Sequence, residues 1–296
     1  MLYQIGGNHR RDILVRAFKS AAKRSAEFVC VFLANFAFWA SAAHSTEYCV
    51  RDPEIKAVDL SAPVDQYFLT QMKANGINTI IRYYDHENET LPGKTLRKAE
   101  RDLIMMNGLT LAVVFQHHND QFVSFTPWRG SQDAERSLVL ASENSQLPGS
   151  AIYFGVDGPW KRPFELSNIM SYFQEVRGRL MRAGFRLGVY GSGLVCNMLQ
   201  RSGLADLCWL AAPISWPEFH DYYPTRQWRL VQQPTTQCGG RSVDFNLANG
   251  PDFGQFGIRG SSPPISLRSA LTVPGYDAGH PPPTADPPRK VVLGSE

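Results

Sequence analysis

The chain has 296 residues, 43% of them hydrophobic and 19% charged, which fits a globular protein of one or two domains. Its formal charge of +3 is unevenly spread, because residues 1–43 hold six basic side chains against only Asp12 and Glu27. The remainder is therefore near −1, and no basic surface is left to argue for nucleic acid.

The first 43 residues read as a secretory signal peptide. A basic stretch from Arg10 to Arg24 precedes the apolar run FVCVFLANFAFWA (28–40), and Ala40-Ser41-Ala42 offers an A-x-A cleavage site. The 13-residue run falls short of the ~20 residues a spanning helix needs. A membrane is thus expected to matter only through a leader left uncleaved. Arg10-Arg11-Asp12-Ile13-Leu14 also has a twin-arginine pattern.

Cys30 leaves with the leader, and Cys49, Cys196, Cys208 and Cys238 remain. An even number in an exported chain suggests disulfides with three possible connectivities; the alternative is four reduced, buried thiols. Cys196 with Cys208 is the preferred pair, since the two flank a short connection. No C-x-x-C or zinc spacing occurs, so no metal is expected.

From residue 55 onward, short apolar runs recur: IKAVDL (55–60), NTIIRYYD (78–85), LTLAVVFQ (109–116), AIYFGVD (151–157), FRLGVYGS (185–192), DLCWLAA (206–212), WRLVQQ (228–233) and RSVDFN (241–246). Helical patterns at 64–74, 95–107, 131–146, 165–183 and 194–201 separate the early ones, and Gly76, Gly108 and Gly184 stand where helices stop. After the sixth run the connections carry no long helix. Alternating strands and helices argue for parallel βαβ units. Eight strands in this length predict an irregular TIM-type (β/α)5β3 barrel, a single domain over 44–257. An open doubly wound sheet is the runner-up, but no G-x-G-x-x-G follows the first strand. Residues 258–296 contain eight prolines and little apolar periodicity, which predicts a flexible Pro-rich tail.

Barrel chemistry sits at the carboxyl ends of the strands. There the runs deliver Asp59; Arg82, Tyr83 and Asp85; Gln116, His117 and His118; Asp157; Tyr190; Trp209; Gln232; and Asp244 with Asn246. Acids from the first, fourth and eighth strands would meet among aromatics and amides. Carboxylates can protonate a glycosidic oxygen or stabilise an oxocarbenium-like transition state, and aromatic rings present flat faces to sugars. The competing reading makes Asp59, Asp157 and Asp244 loop or helix caps.

VDLS (58–61), IYFGVD (152–157), LGVYGS (187–192), CWLAAP (208–213), VQQ (231–233) and VDFN (243–246), in this order, resemble the glycoside-hydrolase-like domain family of exported bacterial proteins. Family 25 lysozymes are its more distant relatives. The resemblance spans about 55–250 and implies a (β/α)5β3 barrel and export, sometimes by the twin-arginine route. It matches Asp59 to the Asp of the lysozymes' first strand, Asp157 to the Asp of their D-x-E, and Asp244 to that of their V-D-x-N. The Glu of D-x-E, their general acid, falls on Pro159, which can donate no proton.

Asp85, Glu87, Asp120 and Glu218 are the other acids within reach of such a mouth, each equally suited to a solvated loop. Ser192 lacks the leading glycine of a nucleophile elbow, so a tight turn explains VYGSG better than an esterase. His117 and His118 are adjacent and, on a strand, would face opposite ways, one into the site. Trp128, Trp160 and Trp216 lie in loops suited to sugar stacking.

The reading that follows is an exported glycosidase-like barrel, without cofactor, acting on cell-envelope polysaccharide, peptidoglycan glycan strands included. Asp157, Asp59 and Asp244 are the expected catalytic acids, with Asp157 as proton donor or N-acetyl assistant. Tyr190, Trp209, Gln232, Asp85, His117, Asn246 and Trp160 are expected to bind the sugar. The alternative is a carbohydrate-binding or envelope-organising protein that keeps the pocket without the acid.

Overall fold

The computed structural model describes residues 47–86 and 91–257. The expected leader, Glu87 and the Pro-rich tail lie outside the described residues. The fold lies within the unit that begins at Cys49.

Nine strands and six helices are described. The strands are β1 (Ile55–Asp59), β2 (Thr79–Tyr84), β3 (Thr110–Phe115), β4 (Ala151–Gly155), β5 (Arg186–Gly191), β6 (Leu207–Leu210), β7 (Leu230–Gln232), β8 (Thr236–Cys238) and β9 (Arg241–Ala248). The helices are α1 (Gln66–Ala74), α2 (Lys98–Met106), α3 (Pro127–Glu143), α4 (Pro163–Arg182), α5 (Gly193–Arg201) and the short α6 (Phe219–Tyr222). Strands β1 to β7 run parallel in order, and β9 closes the ring between β7 and β1. The barrel therefore has eight strands, five of them followed by full helices. The (β/α)5β3 expectation holds, with β8 added as a hairpin partner of β9.

One direction differs from the sequence reading. Strand β9 is antiparallel to both neighbours, with Asp244 opposite Asp59 and Asn246 opposite Gln232. Asp244 thus stands inside an eight-residue strand that enters at the mouth, not at a carboxyl end. A β7–β9 connection of only a hairpin's length cannot return the chain to start a parallel strand.

Helix starts follow local chemistry. The Asp65 carboxylate accepts from Phe68 N to cap α1, and the Thr126 hydroxyl accepts from Arg129 N to cap α3. Pro127 at the first turn fixes φ, so α3 begins four residues before the periodicity suggests and ends at Glu143. Ser192 caps α5 by accepting from Val195 N, a structural duty that replaces any nucleophilic one. Gly76, Gly108 and Gly184 end their helices with φ of 78°, 72° and 79°.

Alternation along each strand sorts side chains into two layers. Val58, Ile80, Val113, Phe154 and Leu210 face the helices, whereas Ala57, Ile81, Val114, Tyr153, Trp209 and Leu230 fill the barrel. Gly188 leaves the space that Tyr153 occupies, since a Cβ there would lie 2.4 Å from its ring. Phe253 plugs the amino-terminal end, where its carbonyl accepts from the Tyr153 hydroxyl at 2.7 Å. Arg82 belongs to the outer layer. It is fully buried, pairs with Glu100 of α2 at 2.7 Å and donates to the carbonyls of Leu60 and Gly93, so it does not reach the mouth.

Two disulfides form, Cys196–Cys208 as preferred and Cys49–Cys238. The first ties α5 to β6. The second fixes the segment before β1 to the β8–β9 hairpin.

Candidate functional site

At the carboxyl end of the parallel strands lies a cavity of about 170 Å³. Asp157 and Asp244 supply its acids, Gln116 and Gln232 its amides, and Tyr83, Tyr190 and Trp209 its rings, with Val114 beneath. Each reaches inward because strand parity puts it there. Tyr83 is two residues past Ile81, Tyr190 two past Gly188 and Asp157 two past Gly155.

Asp59 stands behind this wall, 1% exposed. Asn246 Nδ2 donates to it at 2.7 Å, Gln232 Nε2 at 3.2 Å and the Tyr83 hydroxyl at 3.3 Å. Burial and the neighbouring Asp244 push its carboxyl from 3.8 up to about 7, against the pull of those donors. Gln232 is the hinge of the network: its Nε2 also donates to Asp244 at 3.1 Å, and its Oε1 accepts from Tyr190 at 2.8 Å. Trp209 Nε1 donates to Asn246 Oδ1 at 2.7 Å and so orients the amide that serves Asp59.

Asp244 is half-buried, and burial raises its carboxyl above the usual range. Its Oδ1 is buried without a hydrogen-bond partner, although Thr235 is near enough to favour the ion. Asp157 accepts from Gln116 Nε2 at 2.9 Å, and its own amide donates to Asn119 O at 3.0 Å. Burial, then the charge of Asp120, raises Asp157; Gln116 and Lys94 oppose the rise. Tyr83 and Tyr190 each feel all three carboxylates, which together with burial hold both phenols protonated.

Four expected sugar-binding residues do not line the cavity: Asn246 is fully buried beside Asp59, and three lie farther away. Asp85 is fully buried and bonds the His117 ring at 2.5 Å and the His86 amide at 2.6 Å. His117 and His118 lie beyond the end of β3, where strand alternation no longer applies. His118 takes a φ of 54° and is exposed, while His117 is buried against Asp85. Trp160 folds back over Gly158 to join Phe122 and Phe125; a Cβ at Gly158 would come within 2.6 Å of its ring. None of the three lines the cavity. Pro159 is exposed, Asp120 is exposed, and Glu218 is an exposed residue at the start of α6.

Lys94 is a charged neighbour of the cavity that sequence reasoning passes over. Its Nζ donates to Gln116 O at 3.0 Å, lies 4.0 Å from Asp85 and sits 5.0 Å above the Tyr83 ring. Burial lowers its ammonium, with Asp85, Asp157 and Asp120 opposing. It falls in a loop after β2, where no periodicity marks it.

Comparison with known proteins agrees with this architecture. FadG of Bacillus subtilis is 24% identical over 250 residues, 81% of this chain and 42% of FadG, so the chain spans less than half the length of that relative. The crystal structure of the Tat-secreted protein Rv2525c of Mycobacterium tuberculosis, in complex with HEPES, shares the fold. Its TM-score is 0.57 at 22% identity, covering 68% of this chain and 98% of that one. A family 25 glycosyl hydrolase from Bacillus anthracis is a more distant likeness, with a TM-score of 0.44 and 12% identity over 72% of this chain and 96% of that one. The model of the family described as Rv2525c-like, glycoside hydrolase-like domain matches residues 70–260, and the chain belongs to that family.

Proposed function

We propose that this is an exported glycosidase-like protein whose cavity takes one sugar unit of a cell-envelope polysaccharide. The observation that carries the reading is the pairing of Asp157 and Asp244 on the walls of one cavity, both raised by burial. A glycosidase needs one carboxyl that keeps its proton and another that ionises. Asp157, with a single side-chain donor in Gln116, is the proton donor in this reading. Asp244 faces the sugar as the second carboxylate, and Asp59 positions it through Gln232. Tyr190 hydrogen-bonds and Trp209 packs against the ring. Export is supported by the leader-like residues 1–43, by the two disulfides and by the secretion of the relative Rv2525c. Residues 258–296 would then act as a linker beyond the barrel.

A second reading, binding without turnover, draws on one residue. On the resemblance of IYFGVD to the lysozymes' D-x-E strand, Pro159 falls at the position of their general acid, and it is exposed. The two readings separate in one assay. Purified protein is incubated with peptidoglycan and with chitin-type oligosaccharides, alongside Asp157→Asn, and released reducing ends are measured. Cleavage by the wild type and a fall of ~100-fold or more in the variant is expected of a general acid. Binding without cleavage in either protein establishes the second reading, and no interaction with any glycan overturns both.

A further inference from the structure

The cavity is small, acidic and ringed by aromatics, and this combination narrows its ligand. At about 170 Å³ it has the room of roughly six water molecules in the liquid, the scale of one sugar ring. Two carboxylates line it, and among the described residues no arginine, lysine or histidine does. Lys94, which acts on Asp157 from the loop after β2, is engaged by the Gln116 carbonyl, Asp85 and the Tyr83 ring. An anionic sugar placed here would meet like charges through a poorly screening interior. Asp244 Oδ1 is a buried acceptor that lacks a donor, an arrangement that costs stability until something supplies one. Tyr190 and Trp209 add aromatic rings to the same lining, surroundings that attract an ammonium group, while the Tyr83 ring already carries Lys94 at 5.0 Å.

We propose that the cavity lined by Asp157 and Asp244 selects an amino sugar whose amine is free and protonated. The proposal rests on the reading of the cavity as a saccharide site and names the class of sugar. An acetylated amine brings one N–H and no charge, whereas an ammonium brings three donors and a charge opposite in sign to the acids of the cavity. The groups that face it are Asp157 from the end of β4, Asp244 and, behind it, Asp59 across the β9–β1 seam, with the phenols of Tyr83 and Tyr190. Asp120 and Lys94 act on Asp157 from the loops after β3 and β2. An ammonium favours the ionised form of the carboxyls near it, so its arrival draws the proton off the raised Asp59 behind the wall, and binding is coupled to proton release.

Isothermal titration of the whole exported chain tests this with three probes: a β-1,4-linked glucosamine tetramer, its fully N-acetylated counterpart and an oligogalacturonate. The titrations are run at about pH 6, below the range of such an amine, in buffers of differing ionisation enthalpy. The glucosamine tetramer is expected to bind about tenfold more tightly than the acetylated one, with net proton release. The galacturonate should not compete. The preference should collapse in Asp244→Asn and, as an independent variant, in Asp157→Asn. Equal or tighter binding of the acetylated tetramer overturns the selectivity while leaving a saccharide site standing. A preference that survives both variants places the amine elsewhere and overturns the proposal. Failure of every oligosaccharide to bind removes the saccharide reading itself.

Discussion

Asp59 sets how the molecule responds to pH. Its carboxyl, held at about 7, keeps a proton through a range where an unfolded aspartate near 3.8 has lost it. The native state then binds more protons than the unfolded one, so stability is full below 3.8 and is lost as pH rises through about 7. The difference is worth roughly 4 kcal/mol. Asp157 and Asp244 are shifted the same way and steepen the fall. His117, lowered chiefly by burial, opposes the fall between about pH 5 and 6.5, whereas Asp65 and Asp252, which their donors hold low, do so only in more acidic solution. Scanning calorimetry should find a lower melting temperature at about pH 8 than at about pH 5, and Asp59→Asn should flatten that dependence. Equal slopes in the two proteins would remove Asp59 as the cause. Much of this site was legible in the sequence, because strand alternation fixes which residues face inward. Asp59, Tyr190, Trp209, Gln232, Asp244 and Asn246 follow from it, and Asp157, two residues past β4, keeps the same parity. Asp85, His117 and Trp160 lie past the ends of strands β2, β3 and β4, where loop geometry and burial decide direction instead. Lys94 escaped notice because a loop lysine carries no pattern.

At the scale of elements, the hairpin β8–β9 carries Asp244 and is held by Cys49–Cys238, a bond spanning 189 residues. Cys196–Cys208 spans only 12. Closing the longer loop removes more freedom from the unfolded chain, by roughly 2–3 kcal/mol on the chain-entropy estimate. Urea denaturation of Cys49→Ala/Cys238→Ala should therefore show the larger loss of stability, beyond that of Cys196→Ala/Cys208→Ala. The reverse order would mean that native packing around the short bridge outweighs chain entropy. Strand β9 also marks where reading by elements ran out. Its apolar alternation announces a strand and an inward Asp244, yet periodicity carries no sign of direction. Only the short β7–β9 connection implies that the strand runs back, and the inserted β8 within that connection is too brief to stand out by its own pattern. The five helices were visible because their apolar periodicity is long and their caps are local.

Seen as a whole, the barrel places its two cavity acids on opposite sides. Going round the ring from β9, four steps through β1, β2 and β3 lead to β4, so Asp244 and Asp157 face each other across the full width of the mouth. A ligand held by both therefore braces the barrel across its diameter, and one of its two anchors belongs to the strand that closes the ring. Binding to the native state alone adds about 2.7 kcal/mol at ligand concentrations near 100 times Kd. For a domain of this size that corresponds to a rise of roughly 5–10 °C in melting temperature. The same bracing should slow hydrogen exchange at the mouth ends of both β4 and β9, with little change at the end closed by Phe253. Protection confined to the β4 side would mean that the ligand leans on Asp157 alone, and the role given to Asp244 and the seam behind it would fall.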